Sequence, residues 1–248
     1  MLAKFPTAPD VKKSKEKAKL LIKKNKEQIQ FLQKKLNAQG KYSLLVIIQG
    51  LDASGKDGAA RSVFECVNPA GISVHSFKRP TSEELSHDFL WRVHKHVPAK
   101  GMIQIFNRSH YEDILVPSVE GYYSDKTIKK RFGIINHFEK MIEHNDTKIL
   151  KFYLHNSSKN QLKRLTERIN LPQKHWKHND GDWEVREKRN QYHKVYEQIF
   201  KKCNTPKWHI IPSDKNWYKT LLISEIVLKE LKGLYLKWPA LDSEKFKK

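Results

Sequence analysis

The stretch "SLLVIIQGLDASGKDGAAR", residues 43–61, begins as an unbroken β-rich apolar run and passes through a glycine-bracketed turn into a helix-forming segment. A strand with no polar alternation is buried on both faces, as strands of parallel sheets are. Parallel neighbours need crossover connections, so this one stretch commits the chain to strands alternating with helices. The turn fits G-x-x-x-x-G-K at Gly50, Gly55 and Lys56. In such a loop backbone N–H groups turn in on phosphate oxygens, and the helix N-terminus adds partial positive charge. The usual next residue is a Ser or Thr whose hydroxyl reaches magnesium; here it is Asp57, and Asp52 lies inside the loop. For Asp57, a first-turn carboxylate favoured by the helix dipole suffices. Asp52 faces the phosphates, where a carboxylate repels the ligand unless a cation lies between them; magnesium is that cation.

The alternation continues along the chain. Strands are expected at 71–77, 101–106, 147–155 and 207–214. Helices are expected at 55–67, 81–96, 127–144, 158–169, 183–203 and 216–234. Thr81 and Glu84 form a capping-box signature for the second of these, and Pro98 stops it. Ahead of the first strand, residues 11–38 read as a polar helical arm closed by Gly40, with ten lysines between Lys12 and Lys35. Ile22, Ile29 and Leu36 recur every seven residues on it, a narrow stripe that packs a helix onto a domain or a partner subunit. The reading is an α/β fold with a five-stranded, mainly parallel sheet. It divides as an N-terminal arm over 1–40 and a core over 41–248 that includes a lid at about 158–190.

Several classes are excluded at this level. Cys66 and Cys203 lie far apart and outside any Cys/His ligand spacing, which argues against a disulfide framework and structural zinc. No stretch approaches the ~18 apolar residues of a membrane span, so no membrane partner is expected and a cytoplasmic location is. The net charge of +21 calls for a polyanionic partner without saying which.

Two further clusters carry chemistry. "IFNRSHYEDILV" (105–116) follows the third strand, where an open parallel sheet places its ligand crevice. Asn107 stands where a strand-end Asp is usual, so the acidic function there falls to Glu112 or Asp113. Arg108 can fork onto phosphate oxygens. In "NQLKRLTERINLPQKHWKH" (160–178), Arg164 and Arg168 are four apart and share a helix face. Arginines on a closing segment stabilise the charge that spreads over a transferring phosphoryl group.

Taken together, the clusters resemble the family-2 polyphosphate kinases, relatives of the thymidylate-kinase-type P-loop kinases. The most specific stretches are "GLDASGKDG", "FKRPTSEELSHDFLWRVHKHVPAKG" (77–101) and "FNRSHYEDILV" (106–116), with "RFGIINHFEKMI", "KFYLH", "QLKRLTERI" and "HIIPSDKNWYK" extending the match. The resemblance implies a P-loop kinase fold with a helical lid. It also implies magnesium-dependent transfer of a terminal phosphoryl group between inorganic polyphosphate and a purine nucleoside mono- or diphosphate, with manganese as a substitute metal. AMP and ADP are the expected acceptors, GMP and GDP further ones. Carried over by residue, Asp52 and Asp113 would hold metal. Gly50, Ala53, Ser54, Gly55, Lys56, Asp57 and Gly58 would line the phosphates. Asn107, Arg108, Glu112 and Arg164 would meet the nucleotide, and Arg168 would complete the lid. Lys78, Arg79 and Arg131 would follow the polyphosphate chain. A homodimer or homotetramer is expected. The sequence departs from the family pattern at Leu171, before Pro172, at Ser118, and at Arg189, where a Trp is usual.

Two other readings share parts of this pattern. An ATP-dependent nucleoside monophosphate kinase shares the fold, loop and lid. A nucleic-acid-binding protein would use the charge and aromatic residues, but only "HWKHNDGDW" interleaves them, so nucleic acid is not an expected partner.

Overall fold

Seven consecutive buried positions, Ser43–Gln49, leave β1 no face for solvent, and the chain resolves this by placing it at the centre of a sheet. In the computed structural model, which describes residues 1–10 and 14–246, five strands run in the order β2-β3-β1-β4-β5. They are β1 (Ser43–Gln49), β2 (Ile72–Ser76), β3 (Ile103–Asn107), β4 (Thr147–His155) and β5 (Trp208–Pro212), all parallel. Ile48 stands opposite Asn107 of β3, and Gln49 opposite Tyr153 of β4. The carboxyl ends of β1, β3 and β4 therefore form one edge.

Helices cover both faces. One layer holds α1 (Lys15–Gln39), α2 (Lys56–Phe64) and α10 (Asn216–Gly233). Their apolar residues pack with Leu44, Val46 and Ile48, the alternate side chains of β1. The other holds α5 (Glu112–Glu120), α6 (Asp125–His144) and α9 (Arg189–Lys202), packed with Leu45 and Ile47. β1 thus leads to a helix on one face and β3 to a helix on the other, which opens the crevice between their carboxyl ends.

The basic arm is the long α1, capped by the Ser14 side chain and ended by Gly40 at φ +59°; residues 11–13, Lys12 among them, lie outside the described residues. Ile29 and Leu36 are buried against α10 while Ile22 is half-buried, and Asn25 Nδ2 donates to Ser224 Oγ at 3.0 Å. The helix expected over 81–96 is broken into α3 (Ser82–Ser86) and α4 (Trp91–His94). Its capping box is present, but Asp88 starts a new turn by accepting the Leu90 N–H at 2.9 Å. An Asp side chain competes with the helix for backbone donors in this way. The stretch expected as one helix over 183–203 is likewise two, α8 (Gly181–Glu187) and α9, parting at Lys188. No helix among the described residues is long and apolar enough to cross a membrane.

α5 lies where no helix was assigned from the sequence, and Pro117 sits inside it. Proline has no N–H for the carbonyl four residues back, which is that of Asp113. The Arg131 guanidinium donates to that carbonyl instead.

Candidate active site

The loop between β1 and α2 is shaped by residues in the left-handed region. Gly50 has φ +151°, and a Cβ there would lie 2.7 Å from Ser54 Oγ and 2.9 Å from the Leu154 carbonyl. Gly55 has φ +92°, and its Cβ would lie 2.6 Å from Lys219 Nζ. Only glycine fits either position. Ala53 adopts φ +61° without that freedom, a strained conformation of the kind held at functional loops. By contrast, nothing crowds Gly58.

Lys56 folds back into the loop, donating to the Gly50 carbonyl at 2.8 Å and the Leu51 carbonyl at 3.2 Å, with Asp52 at 3.8 Å. Burial lowers its pKa, partly offset by Asp52. Burial alone would raise the Asp52 carboxyl, but Lys56, Arg108 and Arg168 hold it below the ordinary carboxylate range. The Ser54 hydroxyl is buried with no hydrogen-bond partner.

The second loop rises from β3. Arg108 sits at φ +62°, and its N–H donates to the Ile48 carbonyl at 3.0 Å, which ties the loop to β1. That placement turns its guanidinium onto Asp52 at 2.5 Å and toward Glu112 at 3.7 Å. Asn107 Nδ2 donates to Asp57, so Asp57, read from the sequence as a helix-start carboxylate, also joins the two loops. Asn107 Oδ1 is buried and unpartnered. Behind the loop, Gln49 Nε2 donates to Ser109 Oγ at 3.1 Å and Tyr196 OH to Gln49 Oε1 at 3.2 Å.

Glu112 and Asp113 separate at this point. Successive helix residues point about 100° apart. Glu112 lies within the electrostatic reach of Arg108, Lys56 and Asp52, and burial raises its pKa. Asp113 instead ion-pairs with Arg92 at 3.1 Å, and burial raises its carboxyl against the pull of Arg92 and Arg131. Asp113, expected to share a cation with Asp52, is thus engaged by Arg92, and Glu112 is the carboxylate of α5 within electrostatic reach of Asp52. Arg131, expected along a phosphate chain, packs on the rings of Phe89 and Tyr123 at 4.8 and 4.2 Å. Lys78 and Arg79 are exposed just beyond β2.

The lid closes on the loop from the far side. From α7 (Ser158–Asn170), Arg164 donates to the carbonyls of Ala53 at 2.9 Å and Ser213 at 3.0 Å. Gln161 Nε2 donates to the Asp52 carbonyl at 3.1 Å. Arg168 pairs with Asp182 of α8 and donates to the Lys177 carbonyl at 2.9 Å. Burial and the nearby Asp52 raise the Asp182 carboxyl. Arg189, where the family pattern has Trp, donates to Gln161 Oε1 at 2.7 Å and to the Asn156 carbonyl. It reaches the phosphate loop through Gln161. Leu171 ends α7 in an extended conformation and Pro172 starts the following 3-10 turn.

Gln161, Asp182 and Lys219 were not singled out from the sequence. Lys219 offered one available signal, a lysine in the first turn of the helix that leaves the same sheet edge.

This donor set suits a magnesium ion. Among the described residues no three acidic, His or Cys side chains are grouped as a protein cage. Magnesium keeps several waters and takes one or two carboxylates beside substrate phosphates. Asp52, with Glu112 nearby and the unpartnered Ser54 and Asn107 oxygens, provides that arrangement.

The family described as Polyphosphate kinase 2 (PPK2) matches residues 11–238. The chain is 45% identical over 210 residues, 84% of its length and 79% of the other's, to an AMP/ADP-polyphosphate phosphotransferase of Meiothermus ruber. It is 35% identical over 253 residues, covering 96% of this chain and 88% of the relative, to an ADP-polyphosphate phosphotransferase of Rhodopseudomonas palustris. The crystal structure of polyphosphate kinase 2 from Arthrobacter aurescens superposes with a TM-score of 0.94 at 37% identity, covering 98% of this chain and 89% of that one.

Proposed function

The chain belongs to the polyphosphate kinase 2 family, and from that premise we propose how its residues move a terminal phosphoryl group between inorganic polyphosphate and a nucleoside mono- or diphosphate. The observation that carries the reading is the meeting of two loops at one sheet edge, with Lys56 and Asp52 on one and Arg108 and Glu112 on the other.

In the direction that makes nucleotide, an oxygen of the acceptor's terminal phosphate attacks the last phosphorus of the chain. The bridging P–O bond breaks, and a chain one phosphate shorter leaves with the electron pair. The attacking oxygen is already ionised near neutral pH, so no strong general base is needed. The protein's work is alignment and charge neutralisation. The backbone N–H groups at the start of α2 receive the donor end. Lys56 exchanges the Gly50 and Leu51 carbonyls for phosphate oxygens, and Arg108 grips the acceptor phosphate or the moving group. Arg168 brings further positive charge from the lid. Asp52, with Glu112, would hold magnesium, which would supply positive charge to offset that of the phosphates. The Arg108–Asp52 pair opens as the ligands enter, because the guanidinium cannot serve phosphate while its fork is on the carboxylate.

The deciding experiment is purified protein with long-chain polyphosphate and either AMP or ADP, with and without magnesium, products resolved by chromatography. ADP or ATP should form without any ATP supplied, and a chelator should abolish it. Product only when ATP is the donor would replace the reading with an ATP-dependent kinase.

A polyphosphate chain carries roughly one charge per residue, so a basic groove binds it with counterion release. The apparent KM for polyphosphate should therefore rise steeply with added salt while that for AMP or ADP changes little. Equal slopes in a double-logarithmic plot would count against the groove.

A further inference from the structure

Lys219 projects from the first turn of α10 and is 1% exposed. Its ammonium donates to the Gly55 carbonyl at 3.0 Å and to Asn216 Oδ1 at 3.3 Å, and it forms no ion pair among the described residues. Beside it, Arg164 donates to the carbonyls of Ala53 and Ser213 and, at 3.4 Å, to the same Asn216 oxygen. Two cations from different helices thus meet on the outer wall of the phosphate loop, held only by neutral oxygens. Buried charges are ordinarily paired; among the described residues neither cation makes a direct ion pair, and the carboxylates of Asp57, Asp214 and Glu167 act on them only from further off. The contact to Gly55 ties α10 to the end of the loop. That carbonyl also accepts the Ala59 N–H at 3.0 Å, the first hydrogen bond of α2, so Lys219 braces it a second time at the point where the N–H groups of the helix start begin.

We infer that Lys219 is a positioning residue of the phosphate site, which fixes the Gly55 carbonyl and, with Arg164, supplies the positive field that a bound phosphate chain neutralises. The inference rests on the reading of the site given above and adds a residue and an electrostatic role to it.

Charge at this position responds to the ligand. Burial first, then Arg164, push the ammonium down to about 7, with Asp57 opposing. The charged groups facing it are Arg164 from α7 and Asp57 from α2; Asp214 and Glu167 act on Arg164 itself. A polyanion in the loop favours the charged form, so binding takes up a proton. Affinity for the chain is then greatest below pH 7 and declines as pH rises past that value.

The test uses the full chain and two variants, Lys219→Met and Lys219→Arg. In the turnover assay Lys219→Met should raise the KM for polyphosphate about tenfold or more, leave the KM for the nucleotide near that of the parent, and flatten the pH dependence of polyphosphate KM between pH 6 and 9. Lys219→Arg, whose charge does not titrate, should retain binding yet lose the same pH dependence. Calorimetry of polyphosphate binding in two buffers of different ionisation enthalpy should show proton uptake by the parent that is smaller in the Arg variant. The Arg variant decides the matter if the Met variant fails to fold. Unchanged polyphosphate KM in the Met variant, or equal proton uptake and pH profile in parent and Arg variant, overturns the inference. Failure of the parent itself to use polyphosphate would overturn the underlying reading instead, so the two failures are distinct.

Discussion

Lys56→Met is expected to lower phosphotransfer by about 10²–10³-fold, the loss seen when one preorganised donor to developing charge is removed, or ~3–4 kcal/mol of transition-state stabilisation. The expectation follows from position. Lys56 is 9% exposed and bonded only to two carbonyls of its own loop and, more distantly, to Asp52. These neutral carbonyls are partners that a phosphate oxygen can replace. The cost should fall on kcat and, because Lys56 also meets phosphate oxygens of the bound donor, on the KM for polyphosphate as well. Burial already penalises this ammonium, so the unfolding temperature should change little. Normal turnover by a folded Lys56→Met protein would remove the loop from the chemistry.

The second large effect is on stability. Glu139 of α6 is fully buried and accepts from Lys151 Nζ at 2.6 Å, Tyr111 OH at 2.8 Å and His110 Nε2 at 3.2 Å. Lys151, at the middle of β4, is equally buried and also donates to the Cys203 carbonyl at 2.9 Å. Removing one member of such a pair leaves an uncompensated charge in the interior, at a cost of about 3–5 kcal/mol. For a chain of this size each kcal/mol moves Tm by roughly 2–4 °C. Glu139→Ala should therefore unfold roughly 6–20 °C below the parent in a thermal melt, and Glu139→Gln by less. Because His110 and Tyr111 lie two and three residues after Arg108, turnover should fall as well, even where the variant is folded. Burial would raise the Glu139 carboxyl, but the His110 hydrogen bond and the Lys151 charge hold it below the ordinary value. Its contribution is thus complete above the ordinary carboxylate range and is lost as pH falls through the lowered value. A loss of less than ~1 kcal/mol would show that the network is not a structural anchor.

Local patterns carried most of the architecture. The buried run of β1 and the glycines at 50 and 55 are contiguous, and their meaning does not depend on distant residues. The helix beginning at Glu112 was not foreseen, because Pro117 argues against one and its compensation, Arg131 on the Asp113 carbonyl, comes from another helix. Without that helix's phase, Glu112 and Asp113 are equivalent in sequence, and only the folded chain separates their partners, Arg92 for Asp113 and Arg108 for Glu112. Lys219 stands 164 residues from the carbonyl it holds, so only the folded chain brings it to the loop. Asp88 shows the reverse case, a local competitor overlooked inside an amphipathic pattern. Arg189 was visible as a departure, but its link through Gln161 to the Asp52 carbonyl depends on the packing of α9 against the start of α7.

The sheet acts as a partition. α2 belongs to one helical layer, whereas α5, which follows Arg108, belongs to the opposite one, together with Leu51 of the loop before α2. Under the roles proposed above, repacking on the side of α5, α6 and α9 would reach the segment of Arg108 directly and the phosphate loop only through Leu51, with β1 and its neighbours standing between that change and α2.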